Sequence, residues 1–326
     1  MRFTYVSPAM SLLLAAVLAT AGANATAQVF PSKTVRIVVP AGPGDGADIM
    51  ARAVGQRLSV GWQQAVVIEN KPGAGGVLGT EVAVKASPDG YTLLMGNASA
   101  QAINQALYPK LPFDVVRDLQ PVALLAMAPS VLVVNASLPV NSVTELIALL
   151  RREPGRYVFS SGGNGTSAHL NGEMFGAMAG VKMLHVPYKG ANPAINDLLA
   201  GVAQVFVGNL PPLLPHIRSG KLRALGVTTP TRAPLLPDVP PISDTLPGYE
   251  SASWLGLFVP AGTPAERIDK IRADALGAMT SPDIRASIEQ AGFQPFSGPQ
   301  PDYAAMVKRD VAKWQRVVKE SGAKVD

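Results

Sequence analysis

The residues best placed to do chemistry lie in glycine-rich turns, each following a β-branched run and opening a helical pattern. In Thr34 to Arg57, TVRIVVPAGPGDGADIMARAVGQR, the turn carries Ala41, Gly42, Asp45, Gly46, Ala47 and Asp48. A helix that starts directly after such a turn leaves its first amide groups unpaired, with the positive end of its dipole behind them. That arrangement seats an anion without any cationic side chain. The pattern recurs at Val66 to Lys85 and at Tyr157 to Gly180, where Ser161, Gly162, Gly165 and Thr166 add hydroxyls that suit a carboxylate. Gly96, Asn97 and Ala98 follow the strand-like run Thr92 to Met95, and both ligand contact and plain helix capping are open to them. Lys189 ends the segment LHVPYK, within reach of a ligand or simply in solvent.

Other chemistries fit these residues less well. Gly42 to Ala47 satisfies G-x-G-x-x-A and Glu69 closes the next β-branched run, which is the dinucleotide signature. Asp45, however, would set a carboxylate against the pyrophosphate. The segment GTSAH, residues 165–169, is not the G-x-S-x-G elbow of a serine hydrolase. His169 and Glu173 share a helical face and invite a metal reading, but His169, His185 and His216 form no recognised ligand pattern. His185 reads as structural, Asp48 as a capping or dipole-complementing acid. The expectation is a receptor for a small carboxylate, without catalysis, cofactor or metal.

The ends and composition agree. Arg2 precedes the apolar run SLLLAAVLATA and the small-x-small triplet Ala25-Thr26-Ala27, so residues 1–27 read as a secretory signal cleaved before Gln28. The run is too short for the ~30 Å hydrocarbon core of a bilayer. The absence of cysteine rules out disulfides and thiol catalysis. A net charge of +5 is spread thinly, without the basic stripe of a nucleic-acid binder. The aromatic residues are equally scattered.

Alternating elements must position the turns. Residues 35–39, 65–68, 92–95, 122–126, 131–134, 157–160, 184–187, 204–207, 222–228 and 254–259 read as strands. Helical patterns fall at 47–58, 77–85, 100–107, 143–152, 167–179, 192–200, 213–219, 264–279, 282–291 and 302–320. This is an α/β chain of βαβ units with mostly parallel sheets flanked by helices, long enough for two lobes. Helix starts at the carboxyl edge of such sheets face a cleft.

In their order and wording, ENKPGAGG, ASPDGYTLLMG, ALYPKLPFD, SSGGNGTSAHL, HVPYKG, NLPPLLPHIRSGKLRALGVT, LLPDVP and SWLGLFVPAGTP resemble the Bug family of extracytoplasmic solute receptors of tripartite tricarboxylate transport systems. The resemblance covers nearly the whole mature chain. It implies a two-lobed periplasmic binding protein of type II topology that closes on a small carboxylate and hands it to membrane permease subunits. Lobe 1 would comprise 28–127 with 250–326, lobe 2 would comprise 128–249, and the receptor is expected to be a monomer. Ligand contacts implied by motif position are Ala41 to Ala47, Ser161 to Thr166, and Gly208 with Asn209. Two residues depart from the family pattern: Asp45 follows Gly44 where a second glycine is usual, and Gly208 replaces the aspartate before Asn209. Asp45 either pairs with an ammonium on the ligand, favouring an amino-acid or other amine-bearing ligand, or points to solvent. A periplasmic sensor and an exported dinucleotide oxidoreductase are the alternative readings.

Overall fold

The structure, a computed structural model, describes residues 30–108, 110–290, 293–296 and 299–322. The expected signal segment, 1–27, lies outside them. Among the described residues, no helix is long and apolar enough to cross a membrane.

Ten strands and eleven α-helices alternate along the described chain. The first half runs β1 (Val35–Val39), α1 (Gly46–Trp62), β2 (Val66–Asn70), α2 (Val77–Val84), β3 (Thr92–Asn97), α3 (Asn104–Leu107), α4 (Val115–Asp118) and β4 (Leu119–Asn135). A π-helical turn, Ser99–Ile103, leads into α3. The second half runs α5 (Val143–Arg152), β5 (Val158–Ser161), α6 (Ser167–Ala179), β6 (Leu184–Pro187), α7 (Ala191–Leu199), β7 (Val205–Asn209), α8 (Leu210–Arg218) and β8 (Leu222–Val227). β9 (Ala252–Pro260), α9 (Ala265–Ala278), α10 (Pro282–Gln290), β10 (Gln294–Pro295) and α11 (Tyr303–Ser321) complete it.

The strands order as β2-β1-β3-β9-β4-β7-β5-β6, with β8 and β10 also paired to β4. Parallel ladders join β2, β1 and β3 on one side and β6, β5 and β7 on the other. Between them, β9 and β4 run antiparallel to their neighbours.

β4 corrects the sequence reading, which split it into 122–126 and 131–134. It is one strand of 17 residues. Its first part pairs with β9 as far as Pro129 opposite Ala252, and from Ser130 onward it pairs with β7 and β8. Proline has no amide to donate, so it suits the point where the ladder changes partners. A break in the ladder was thus mistaken for a break in the chain.

The near-continuous apolar strands are covered on both faces. Val35, Ile37 and Val39 pack with Met50, Val54 and Leu58 of α1, and with Ile271, Ile284 and Ile288 beyond β9. In the second half, Val131, Val133 and Phe206 pack with Ile195, Leu198 and Leu213. A third cluster runs through both halves and includes Leu94, Phe258, Leu132, Phe175, Tyr249, Trp254 and Trp314. Through it α11, entered in sequence as part of lobe 1, packs against α3 on one side and α6 on the other.

Candidate functional site

The loops that follow β1, β3, β5 and β7, together with the loop before α7, surround a cavity of about 590 Å³. Four helices start at its wall: α1 at Gly46, α6 at Ser167, α7 at Ala191 and α8 behind its cap Asn209. Each start is fixed locally. The Asp45 side chain caps α1 by accepting from the Ala47 amide at 2.9 Å, and Thr166 caps α6 by accepting from His169. Gly162 allows its loop to lie against the α7 start, since a Cβ there would sit 3.1 Å from the Ala191 amide nitrogen. Among the described residues, the amides of Gly46, Ser167, Ala168 and Ala191 donate to no protein acceptor. They remain available to a ligand, each backed by a helix dipole. α8 differs, because Pro211 and Pro212 in its first turn have no amide hydrogen and form apolar wall instead.

Positive character at the cavity wall comes from the main chain alone. Among the lining residues the one ionisable acid is Asp45, and lysine, arginine and histidine do not line the cavity. Polar side chains there are Asn97, Ser99, Asn104, Tyr108, Asn164, Thr166, Ser167, Asn209 and Ser253. Three rings, Tyr108, Phe206 and Phe293, complete the wall with Pro40, Ile49 and Leu255. The arrangement can bind an anionic head group and an apolar body.

Behind each loop a buried group holds it. Asp48, 2% exposed, accepts from the Gly44 amide at 2.9 Å, from Asn70 Nδ2 at 2.9 Å and from Arg52 Nε at 3.0 Å. Burial works to raise its pKa, but the hydrogen bonds from Arg52, Gly44 and Asn70 prevail and hold the carboxyl below its usual range. Beneath the loop after β5, His169 Nδ1 accepts from the Gly165 amide at 3.1 Å, and His185 Nε2 lies 2.7 Å from Ser161 Oγ. The two imidazoles stack 4.1 Å apart, and Phe159 stacks on His185 at 4.7 Å. Burial first, and then His169, lowers the His185 pKa to about 4.

The family description "Tripartite tricarboxylate transporter family receptor" matches residues 50–323. The chain belongs to this family. Protein BugT of Bordetella pertussis is 35% identical over 323 residues, covering 97% of this chain and 99% of BugT. Among solved structures, R. palustris Rpa4515 with adipate superposes with a TM-score of 0.76 at 34% identity, covering 91% of this chain and 100% of that one. MatC (Rpa3494) from Rhodopseudomonas palustris with bound malate gives 0.73 at 29%, covering 89% and 100%. This tripartite tricarboxylate transporter family receptor is therefore a Bug-type solute-binding protein and not an enzyme, with the α/β periplasmic-binding-protein fold expected from sequence.

In the receptor, Ala41, Asp45, Gly46, Asn97, Gly162, Gly165, Thr166 and Asn209 all line the cavity. The other candidates do not line it, each for a physical reason. Ala47 is fully buried in the core, and Ala98 is buried where the chain leaves β3. Asp48 and Ser161 face inward as loop supports, and Gly42 closes the turn by accepting from the Asp45 amide. His169, expected at the ligand, lies buried beneath the loop. Gly96 leaves room for Phe258, since a Cβ there would sit 2.5 Å from its ring. Gly208 likewise leaves room for the Phe206 ring, which lines the cavity in its place. Lys189 is exposed and away from the wall. Glu69, the ribose candidate of the dinucleotide reading, is paired with Lys71 at 2.9 Å and Arg36 at 3.4 Å.

Sequence reasoning missed Asn104 and Tyr108, which follow a π-helical turn, and Phe293, which reaches the wall from beyond α10. The run ALYPKLPFD held the signal for Tyr108 in its family wording. Phe293 had none, because only the tertiary fold brings it over Gly46.

Proposed function

We propose that this receptor captures a small carboxylate outside the cytoplasmic membrane and delivers it to membrane permease subunits of a tripartite tricarboxylate transporter. The ligand sits in the cleft between lobe 1, residues 28–127 with 250–326, and lobe 2, residues 128–249. The observation that carries this reading is the convergence of open helix-start amides on one cavity whose wall has no cationic side chain. Such a seat favours an anion through fixed dipoles and needs no proton to be gained or lost. Neighbours bound to adipate and malate, both carboxylates, support the same ligand class.

A thermal-shift screen of the mature protein against mono-, di- and tricarboxylates, amino acids and their neutral amides tests it. A ligand at 100 times its Kd adds ~2.7 kcal/mol of stability. At least one carboxylate should raise Tm while its amide does not. If every carboxylate leaves Tm unmoved, the reading is wrong.

A further inference from the structure

Asp45 occupies part of the site it borders. Its Oδ1 accepts from the Ala47 amide, so the chain's own carboxylate fills the first turn of α1, where a ligand carboxylate would otherwise sit. Its backbone is tied as well, with its amide donating to Gly42 at 3.3 Å. The side chain is exposed on the cavity wall, and no cation among the described residues is paired with it. The nearby arginine, Arg52, is committed to Asp48 at 3.0 Å.

The part of the wall contributed by the other half of the sheet has the reverse character. There α6 and α7 start with open amides at Ser167, Ala168 and Ala191, and no acidic side chain lines that side. The cavity lining is therefore polarised, with a negative side chain from the β1 loop and two positive helix ends from the other half of the sheet. A dicarboxylate would place its second anion against Asp45, and like charges brought together in a closing cleft repel.

We propose that Asp45 sets the specificity of this receptor for a carboxylate that also carries an ammonium group, an amino-acid type of ligand. The ligand carboxylate is held by the amides at the α6 and α7 starts, and its nitrogen pairs with Asp45. This rests on the carboxylate-receptor reading above and narrows it. It also separates this chain from its neighbours bound to adipate and malate, neither of which carries nitrogen.

Calorimetric titration of the native mature protein and of Asp45→Asn tests the idea with matched pairs. These are γ-aminobutyrate with succinate, ε-aminocaproate with adipate, and α-amino acids with their des-amino acids. Asparagine caps a helix as well as aspartate, so the variant keeps the α1 start while losing the charge. In the native protein the best-bound amine member should exceed its partner by at least about tenfold, and the substitution should erase or reverse that preference. Tighter binding of nitrogen-free acids by the native protein overturns the inference, and so does a preference unchanged by Asp45→Asn. Either result leaves the carboxylate receptor standing. Failure of every pair overturns the inference too, and failure of the wider carboxylate screen overturns the parent reading. Mass spectrometry of ligand carried through purification gives a second readout: a nitrogen-free acid there counts against Asp45.

Discussion

Asp48 illustrates how one buried carboxylate can set the shape of a binding loop without touching the ligand. It joins the Gly44 amide, Asn70 and Arg52, so Asp48→Ala leaves three polar groups short of a partner. Arg52 is about half exposed, which softens the loss. We expect about 2–3 kcal/mol of destabilisation in urea unfolding, with weakened ligand binding beside it. His185 gives a pH signature of its own. The unfolded imidazole titrates near 6.5, and the folded one only at about 4. Between those values the unfolded chain holds more protons, so stability falls as pH drops from 6.5 towards 4. His185→Gln should flatten that part of the stability curve, measured by urea unfolding at a series of pH values. A slope equal to the native one would assign the acid sensitivity elsewhere.

At the scale of elements, the sequence was most legible where one local rule decided the outcome. α5 and α6 fall on the limits read from periodicity and caps, because Ser142 and Thr166 cap them and Gly180 closes α6 at φ 62°. The turns after β1 and β5 were legible as helix-opening turns for the same reason, with Asp45 and Thr166 as their caps. What escaped was long-range. Pro129 looked like a boundary until its place between two ladders was known, and the imidazole stack under the loop after β5 joins residues from α6 and β6. That stack has a measurable role: His169→Ala frees the Gly165 amide and unpins the loop. Affinity for the carboxylate found in the screen should fall about tenfold in calorimetry, the worth of one lost hydrogen bond, with the circular dichroism spectrum unchanged. α2 yields another test. A Cβ on Gly79 would lie 2.7 Å from Pro40 Cα and 2.8 Å from the Lys71 carbonyl oxygen, both backbone. Gly79→Ala should therefore push α2 off the floor of the site and cost about 1–3 kcal/mol in stability.

For the whole molecule, the two halves of the sheet are joined by β4 and by the return from β8 to β9, while α11 bridges α3 and α6. Both bridged helices, or the turns leading into them, begin at the cavity wall. If the lobes close on the ligand about these crossings, the radius of gyration from small-angle scattering should shrink on ligand addition. An unchanged radius at saturating ligand would mean that the described form is already the bound shape. The amides left open at the cavity wall bear on how such a receptor diversifies. Every residue type but proline carries a backbone N–H, so in the proposed reading the hold on the head group comes with the scaffold, while Tyr108 and Phe293 at the wall can be exchanged. New cargo can then arise by redecorating the walls, one ring at a time, with the anchor left intact.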